Sequence, residues 1–370
     1  MLDNGTQVIE ADVAHVLEKS GAEIATLLGK RVLITGGAGF LGFLLCHVLA
    51  SAHETLDGDP IDLVVLDNFV RGRKPWLEAL ATRDNVTVRE FDILVPLDAD
   101  DHYDYIIHAA SIASPTFYRQ YPIETIDANV TGLRNLLEHA RSQEAAGSPL
   151  AGLLFYSTSE IYGDPAPEAI PTPETYRGLV SCTGPRACYD ESKRLGETLC
   201  VNFAQKHGVP VTMARPFNNY GPGLPITDRR VLPDFARDVL NGNDIVLLSD
   251  GRATRTFCYV ADAVAGYLKI LVRGRPGEPY NIGIEEPEIA MRDLADLVVA
   301  VGRELTGYDG KAVYRTSEEA EYLADNPNRR CPDITKARNE LGYDPSISLE
   351  EGIRRMMIWY RDAVAEERSQ

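Results

Sequence analysis

The sequence has few features of a secreted, zinc-binding or membrane protein. Its six cysteines form no C-x-x-C pair and no Cys/His spacing resembles a zinc site, so no metal site is predicted. Unpaired cysteines of this kind are typical of reduced, cytoplasmic proteins. No stretch approaches the ~18 continuous apolar residues of a spanning helix, and the N-terminus lacks the apolar core of a signal peptide. We therefore expect a cytoplasmic protein without a membrane partner.

Positive charge is also scarce. The 370 residues include 37 Lys and Arg against 55 Asp and Glu, which gives a formal net charge of −18. A negative field repels nucleic acids and anionic membranes, so neither is expected as a partner. An anionic ligand must therefore be held by a local group of arginines, lysines and helix N-termini.

The sequence does contain a long alternation of strand and helix patterns. Buried-strand patterns such as RVLITGG, DLVVLDN and DYIIHAAS alternate with helical stretches from residue 31 to about 217. This alternation predicts an α/β fold, a Rossmann-type doubly wound parallel sheet. The pattern changes after residue 217, where a further helix is expected to begin after Pro287.

A glycine-rich turn follows the first predicted strand. Gly36, Gly39 and Gly42 have the spacing G-x-x-G-x-x-G, and Phe40 and Leu41 begin an apolar helix there. Glycines in this context permit a tight turn, close approach of a pyrophosphate and close packing of the helix on the sheet. The helix N-terminus offers unpaired N–H groups to phosphate. The turn therefore predicts a dinucleotide site.

The second predicted strand ends in Asp67, followed by Asn68. An acid at this point can accept both ribose hydroxyls and repels a 2′-phosphate, which favours NAD over NADP. Arg71 and Arg73 stand close by and leave NADP open. Three residues after later strands complete the predicted coenzyme site: Asp92, Ile93 and Ala109.

The length of the chain suggests about two domains. Residues 1–29 are predicted to form a short N-terminal helical extension. Residues 30–217 form the predicted NAD-binding domain, with a segment that returns to it near 252–284. Residues 218–370 form mainly a smaller α/β region for the substrate.

Tyr189 and Lys193 stand one helical turn apart, so their side chains share a helix face. A lysine cation and the positive nicotinamide ring would both favour the phenolate, lowering the tyrosine pKa from its usual value near 10. Tyr189 is therefore a candidate base for a sugar hydroxyl. The helix follows a strand that ends in the polar residues 157–160, and ligands bind at such strand ends in open α/β sheets.

Three motifs carry a family resemblance. TGGAGFLG, STSEIYG and YDESK resemble the extended short-chain dehydrogenase/reductases that act on nucleotide sugars, over about residues 31–362. Within that family the chain is most similar to the NAD-dependent UDP-glucuronate decarboxylases. The similar stretches, in order, are ASIASPTFY, STSEIYGDP, GPRACYDESKR, ARPFNNYGP, TRTFCYVAD and NPNRRCPDI.

The resemblance implies roles for individual residues. Thr158 would bind the sugar near C4 beside Tyr189, and Lys193 would hold the nicotinamide ribose. Glu160 would lie by the sugar ring near its carboxylate carbon, and Asn218 would contact the diphosphate. The other implied substrate residues are Tyr118 in the sugar pocket, Ser159, Arg186, and Arg255 and Arg330 at phosphate or ribose.

The pair Ser159-Glu160 distinguishes between related reactions. The similar 4,6-dehydratases carry Asp-Glu there to expel a hydroxyl as water, and the 4-epimerases generally lack the acid at position 160. In a decarboxylase, removal of hydride from C4 of glucuronate places the carboxylate β to a ketone, so carbon dioxide can leave. Protonation at C5 and return of the hydride then give the pentose. The pair therefore favours conversion of UDP-glucuronate to UDP-xylose.

Two residues depart from the decarboxylase pattern, which is basic where Glu124 and Asp127 stand. A different nucleotide or sugar therefore stays open, with a 4-epimerase or 4,6-dehydratase of a UDP- or dTDP-hexose as the alternative. A non-catalytic NAD-binding sensor is a further alternative, which the intact Tyr189 and Lys193 disfavour. The resemblance also implies a homodimer formed through helices that include residues 133–137 and 195–201.

Overall fold

A seven-stranded parallel sheet is the centre of the molecule, which a computed structural model describes over residues 2–315 and 327–369, with side chains up to residue 363. Its strand order is β11-β6-β5-β4-β1-β2-β3. The predicted doubly wound parallel sheet is therefore confirmed. The strands are β1 Arg31–Thr35, β2 Asp62–Asp67, β3 Val86–Glu90, β4 Tyr105–His108, β5 Gly152–Tyr156, β6 Val211–Pro216 and β11 Pro279–Ile282.

Helices cover both faces of this sheet because its central strands are apolar on both sides. All residues of β4 and β5 are buried, as expected for parallel strands between two helical layers. One apolar core lies between the sheet and α2 and α9, and the other between the sheet and α6 and α7. The helices are α1 Gly5–Ala25, α2 Phe40–Ser51, α3 Pro75–Leu80, α4 Pro115–Gln120, α5 Pro122–Asp127, α6 Leu133–Ala145, α7 Ala187–His207, α8 Val231–Leu240, α9 Val260–Arg273, α10 Met291–Thr306, α11 Thr335–Leu341 and α12 Leu349–Ser369.

Three small sheets lie beyond the main one and shape the region opposite the glycine turn. They pair β10 with β7, β13 with β8, and β12 with β9 and β14. Their strands are β7 Asn219–Tyr220, β8 Ile245–Leu247, β9 Thr254–Arg255, β10 Cys258–Tyr259, β12 Ile289–Ala290, β13 Ala312–Tyr314 and β14 Arg329–Arg330. The helix expected after Pro287 begins later, at Met291, because residues 289–290 first pair with β9.

The N-terminal helix packs along α9 and α12 rather than projecting from the molecule. Its Asp12 is fully buried and accepts hydrogen bonds from Tyr259 Oη at 2.7 Å and Arg355 Nη1 at 2.9 Å. Helical periodicity predicts the helix but cannot reveal these two distant partners. Among the described residues, no helix is long and apolar enough to cross a membrane. The boundaries of the predicted domains stay a prediction.

Candidate active site

One large cavity of about 1890 Å³ opens at the carboxyl ends of the main strands. Every residue predicted from the sequence to bind coenzyme, to bind substrate or to act in catalysis lines this cavity. The cavity has two walls. The coenzyme wall is formed around the glycine turn and β2. The sugar wall is formed by the ends of β5 and β6, the start of α7, and β9 and β14.

The glycine turn leaves no room for side chains. A Cβ on Gly36, whose φ is +71°, would stand 2.4 Å from the Cα of Ala110, and one on Gly42 would stand 2.2 Å from the carbonyl oxygen of Gly37. Such distances are below any ordinary contact, so both positions require glycine. The turn leads directly into the N-terminus of α2, where N–H groups are open to an anion. This geometry fits the pyrophosphate of a dinucleotide.

Asp67 lies at the end of β2 with its carboxylate held by backbone. Its two oxygens accept hydrogen bonds from the N–H of Phe69 at 2.8 Å and the N–H of Ala38 at 3.0 Å. Burial raises the pKa of Asp67, and these N–H groups act in the opposite direction. The carboxylate is thus fixed beside the glycine turn, where a ribose hydroxyl can approach it.

Neither arginine near Asp67 is arranged as a clamp for a 2′-phosphate. Arg71 lies over the ring of Phe117 at 3.9 Å from its centroid. Arg73 lies over Phe69 at 4.3 Å and pairs with Glu90 at 2.7 Å. Both guanidinium groups are therefore engaged with protein groups, and the arrangement favours NAD.

Tyr189, Lys193 and Thr158 meet at the junction of the two walls. Tyr189 is buried, and its hydroxyl is hydrogen-bonded to the Thr158 side chain. Lys193 Nζ donates to the Tyr156 carbonyl at 2.7 Å and lies 5.8 Å from the centre of the Tyr189 ring. Tyr118 stacks on Tyr189 with ring centres 5.1 Å apart and planes 10° apart, so the tyrosine ring is held from one side.

The protein alone does not lower the pKa of Tyr189. Burial raises it to about 12, and burial also lowers the pKa of Lys193 to about 7. Both groups lie out of water, so the less charged form of each is favoured. The Arg230 cation acts in favour of the phenolate. The predicted effect of Lys193 together with a nicotinamide ring stays a prediction.

Glu160 is the centre of the sugar wall's charges. It follows Thr158 in a short 3₁₀ turn and accepts hydrogen bonds from Arg186 and from both terminal nitrogens of Arg330, one of them at 2.6 Å. Burial would raise the pKa of Glu160, but the Arg330 and Arg186 cations outweigh it and lower the pKa to about 2. Glu160 is therefore a permanent anion between Arg330, which is buried, and Arg186, which is partly buried.

Two predicted phosphate contacts are engaged with the protein's own backbone. Arg255 Nη1 donates to the carbonyls of Thr254 at 2.7 Å and Asn328 at 3.1 Å. Asn218, at a φ of +41°, donates its amide to the Thr256 carbonyl at 2.9 Å. Arg255 thereby holds the segment that leads into β14 and its Arg330. Both side chains still line the cavity, so their predicted role at the diphosphate stays a prediction.

Two residues at this site, Asp190 and Arg230, were not predicted from the sequence. Asp190 lies within the YDESK motif, with its carboxylate 3.7 Å from the Nε of Arg186. Arg230 lines the cavity and pairs with Asp228 at 2.9 Å. Arg230 stands in an irregular loop, and no sequence pattern predicts its place at the site. Asp190 could have been predicted, because it directly follows Tyr189 in the YDESK motif. Of the two departures from the decarboxylase pattern, Glu124 lines the cavity.

Comparison with known proteins agrees with this geometry. Residues 32–283 match the NAD dependent epimerase/dehydratase family. UDP-glucuronic acid decarboxylase 1 of Xenopus tropicalis is 38% identical over 332 residues, which is 90% of this chain and 72% of that protein. UDP-glucuronic acid decarboxylase 5 of Arabidopsis thaliana is 37% identical over 87% of each chain. The crystal structure of UDP-glucose 4-epimerase from Thermotoga maritima with UDP-glucose superimposes with a TM-score of 0.75 at 27% identity, covering 90% of this chain and 99% of that one.

Proposed function

The chain belongs to the NAD dependent epimerase/dehydratase family, with NAD as its cofactor, and we propose that it converts UDP-glucuronate to UDP-xylose. The observation that carries the proposal is the placement of Glu160 between Arg186 and Arg330, next to Thr158 and Tyr189. Two guanidinium groups beside the oxidation site suit a sugar that bears a carboxylate. The family predicted from the motifs is confirmed.

The pair Ser159-Glu160 supports decarboxylation over dehydration. A 4,6-dehydratase needs an acid that can give a proton to a leaving hydroxyl. Glu160 is a permanent anion because of its two arginines, and Ser159 has no acidic proton. The UDP-glucuronic acid decarboxylases at 37–38% identity support the same assignment. A 4-epimerase is the second candidate, because the superimposed epimerase shares the fold over nearly its whole length.

In the proposed reaction Tyr189 removes the proton of the C4 hydroxyl. Thr158, hydrogen-bonded to Tyr189, orients that hydroxyl, and Lys193, whose Nζ lies 5.8 Å from the Tyr189 ring centre, would hold the coenzyme's ribose. Bound NAD supplies the acceptor for the C4 hydride and returns it at the end of the cycle. The proton on Tyr189 goes back to the C4 oxygen at the same stage, so this tyrosine finishes the cycle as it began.

The sugar wall favours loss of carbon dioxide once C4 is a ketone. Cleavage of the C5–C6 bond leaves its electron pair as an enolate over C5, C4 and the C4 oxygen. The Thr158 and Tyr189 hydroxyls can donate hydrogen bonds to that oxygen as charge develops on it. Arg186 and Arg330 orient the carboxylate with part of their N–H groups before it leaves, while the other N–H groups keep the pairing with Glu160.

We also propose a homodimer, with a revised surface. Leu133, one of the residues expected at the interface, is buried inside the protomer. Leu195 on α7 is 47% exposed, and Ile123 and Ile126 on the neighbouring α5 are 64% and 38% exposed. These three residues would form the dimer contact, and sedimentation at micromolar concentration that shows only monomer would remove it. The cytoplasmic location stays a prediction.

Product analysis by mass tests the proposed reaction. The protein is incubated with UDP-glucuronate and NAD, with Tyr189→Phe as the inactive control. The proposal predicts a nucleotide sugar lighter by carbon dioxide, with no net consumption of NAD. A product of unchanged mass would assign a 4-epimerase instead. If there is no turnover, a panel of UDP- and dTDP-hexoses is tested on the parent and on the variant Glu124→Lys.

A further inference from the structure

Decarboxylation needs one proton that the Tyr189 cycle does not supply. When carbon dioxide leaves, the C5 carbon must gain a proton in place of the lost carboxylate. The proton that Tyr189 removes from the C4 hydroxyl returns to the C4 oxygen, so it is not available for C5. The site must therefore contain a second acid, one that is refilled from solvent on each cycle.

Glu160 cannot be that acid. It lies at the centre of the sugar wall, but the Arg330 and Arg186 cations keep its pKa at about 2 against the effect of burial. A group with that pKa carries no proton at neutral pH. The proton donor must be sought among the neighbouring side chains that keep theirs.

Three buried polar atoms belong to residues that interact electrostatically with Glu160, and two of these residues, Arg186 and Asp190, lie 3.7 Å apart. They are Tyr118 Oη, Asp190 Oδ1 and Arg186 Nε, and none has a hydrogen-bond partner within the described part of the chain. Tyr118 is 1% exposed and Asp190 is 5% exposed. Buried polar atoms without partners are rare, and a cluster of them indicates a place where a proton or a small ligand is exchanged.

The charges around this cluster favour a protonated Asp190. Burial and the Glu160 anion raise the pKa of Asp190 to about 7, although the Arg186 and Arg330 cations oppose the shift. Burial also raises the pKa of the Tyr118 hydroxyl, so that hydroxyl keeps its proton. The titratable and charged groups that act on Asp190 or feel its charge are Glu160, Arg186, Arg330, Tyr118, Cys188 and Tyr189.

We propose that Tyr118 and Asp190 form the acid that protonates C5, an inference that rests on the proposed decarboxylation. Tyr118 is one of the residues that line the cavity and Asp190 is not, so in this proposal Tyr118 gives its proton to the sugar and Asp190 serves as the proton source. The enolate's electron pair forms the C5–H bond as the O–H bond of Tyr118 breaks. The carboxylic acid of Asp190 returns a proton to Tyr118, and the Asp190 carboxylate is refilled from solvent.

The test separates C4 oxidation from C5 protonation. In Asp190→Asn, oxidation at C4 should proceed at the parent rate, seen as a rapid rise in absorbance at 340 nm on mixing the NAD-loaded enzyme with UDP-glucuronate. Formation of UDP-xylose should slow about 100-fold, within the range of general acid catalysis. Tyr118→Phe, which keeps the stacked ring, should show the same accumulation of reduced coenzyme. Glu191→Gln, an acid-to-amide change at the next, more exposed position of α7, is the matched control and should behave as the parent.

The pH profile supplies the readout that a purely structural role would not change. Because Asp190 must be protonated to act, product formation by the parent should fall as pH rises through about 7 more steeply than the rapid rise at 340 nm, which reports the C4 step of Tyr189 and Lys193. Asp190→Asn should lose this difference. A difference that persists in Asp190→Asn, or product formation at the parent rate in both variants, would overturn the inference. Should Asp190→Asn fail to bind NAD, Tyr118→Phe decides the question. A parent enzyme that releases no carbon dioxide from UDP-glucuronate would instead remove the proposed function itself.

Discussion

The coenzyme wall and the sugar wall hold their key carboxylates in opposite ways. Asp67 on the coenzyme wall is fixed by two nearby backbone N–H groups, that of Ala38 in the glycine turn and that of Phe69 just after its own strand. Glu160 on the sugar wall is fixed by arginine side chains, one of them 170 residues away in the sequence. The first carboxylate therefore leaves its remaining lone pairs to a ligand, whereas the second already has charged partners.

This difference determines which hydrogen bonds and ion pairs must change when each wall binds its ligand. The coenzyme wall is preformed, so a dinucleotide adds hydrogen bonds without breaking any ion pair. The sugar wall must give up part of the pairing between Glu160 and its two arginines before those cations can contact a sugar carboxylate. Exchange of one carboxylate for another keeps the buried charges balanced, which limits its cost. Substitutions on the two walls should accordingly have different signatures.

The largest effect is expected at the junction of the walls. Tyr189→Phe should lower kcat about 10³-fold, because it removes the base for the C4 hydroxyl while the stacked ring stays in place. NAD affinity, measured by calorimetry, should change less than about threefold on the same reasoning. Unchanged turnover in this variant would contradict the catalytic assignment and return the site to a binding role.

Next in size is a change on the sugar wall. Arg330→Met leaves the buried Glu160 with one fewer cation, which should cost about 3 kcal/mol of unfolding free energy in denaturant titrations. The double variant Glu160→Gln/Arg330→Met should regain most of this stability but not the activity. Arg329→Met, whose more exposed side chain pairs with Glu288, is the control and should cost less than about 1 kcal/mol. Equal losses of unfolding free energy in Arg330→Met and Arg329→Met would show that the Arg330–Glu160 ion pair contributes no more than a surface ion pair.

A smaller effect is expected on the coenzyme wall. Asp67→Asn should weaken NAD about tenfold and NADP less, because the amide neither accepts ribose hydroxyls as strongly nor repels a 2′-phosphate. Global stability should hardly change, since the hydrogen bonds to Asp67 come from backbone N–H groups rather than from buried cations. Asp62→Asn, at the exposed start of the same strand, is the control. A loss of UDP-sugar affinity in place of NAD affinity would reverse the assignment of the two walls.

The smallest effect tests how the N-terminal helix joins the rest of the molecule. Tyr259→Phe removes the hydroxyl that donates to buried Asp12, which should lower the unfolding free energy by about 1 kcal/mol. Asp12 keeps Arg355, so the helix should remain docked. The measurement is a denaturant midpoint beside that of Tyr314→Phe, an exposed tyrosine. A wild-type midpoint for Tyr259→Phe would show that the Tyr259 hydroxyl does not help to hold α1.

The same contrast explains what could be predicted from sequence. The coenzyme wall is local, so the spacing of Gly36, Gly39 and Gly42 and the acid at Asp67 were enough to predict it. The sugar wall joins segments far apart in the chain, and its residues came from a family resemblance rather than from spacing. That resemblance placed Glu160 and Arg330 in one pocket but could not show that they pair with each other.

Other features depended on packing that no local pattern reports. In the sequence, Asp12 looks like any other polar residue on an amphipathic helix. Its burial could not be predicted, because its partner Tyr259 is 247 residues away. The unpartnered carboxylate oxygen of Asp190 is visible once Arg186 and Tyr118 are placed around it. Burial raises the pKa of Tyr189 and lowers that of Lys193, and the extent of burial cannot be read from the four-residue spacing of the two side chains.

Release of the C6 carbon distinguishes decarboxylation from epimerisation. UDP-glucuronate labelled with ¹³C at C6 is incubated with the enzyme and NAD and followed by ¹³C NMR, with absorbance at 340 nm recorded in parallel. We expect the label to appear as carbon dioxide and bicarbonate, the nucleotide pentose to carry none, and reduced coenzyme not to accumulate in the parent. Label that stays in a nucleotide sugar, as an epimerised glucuronate, would contradict the proposed decarboxylation.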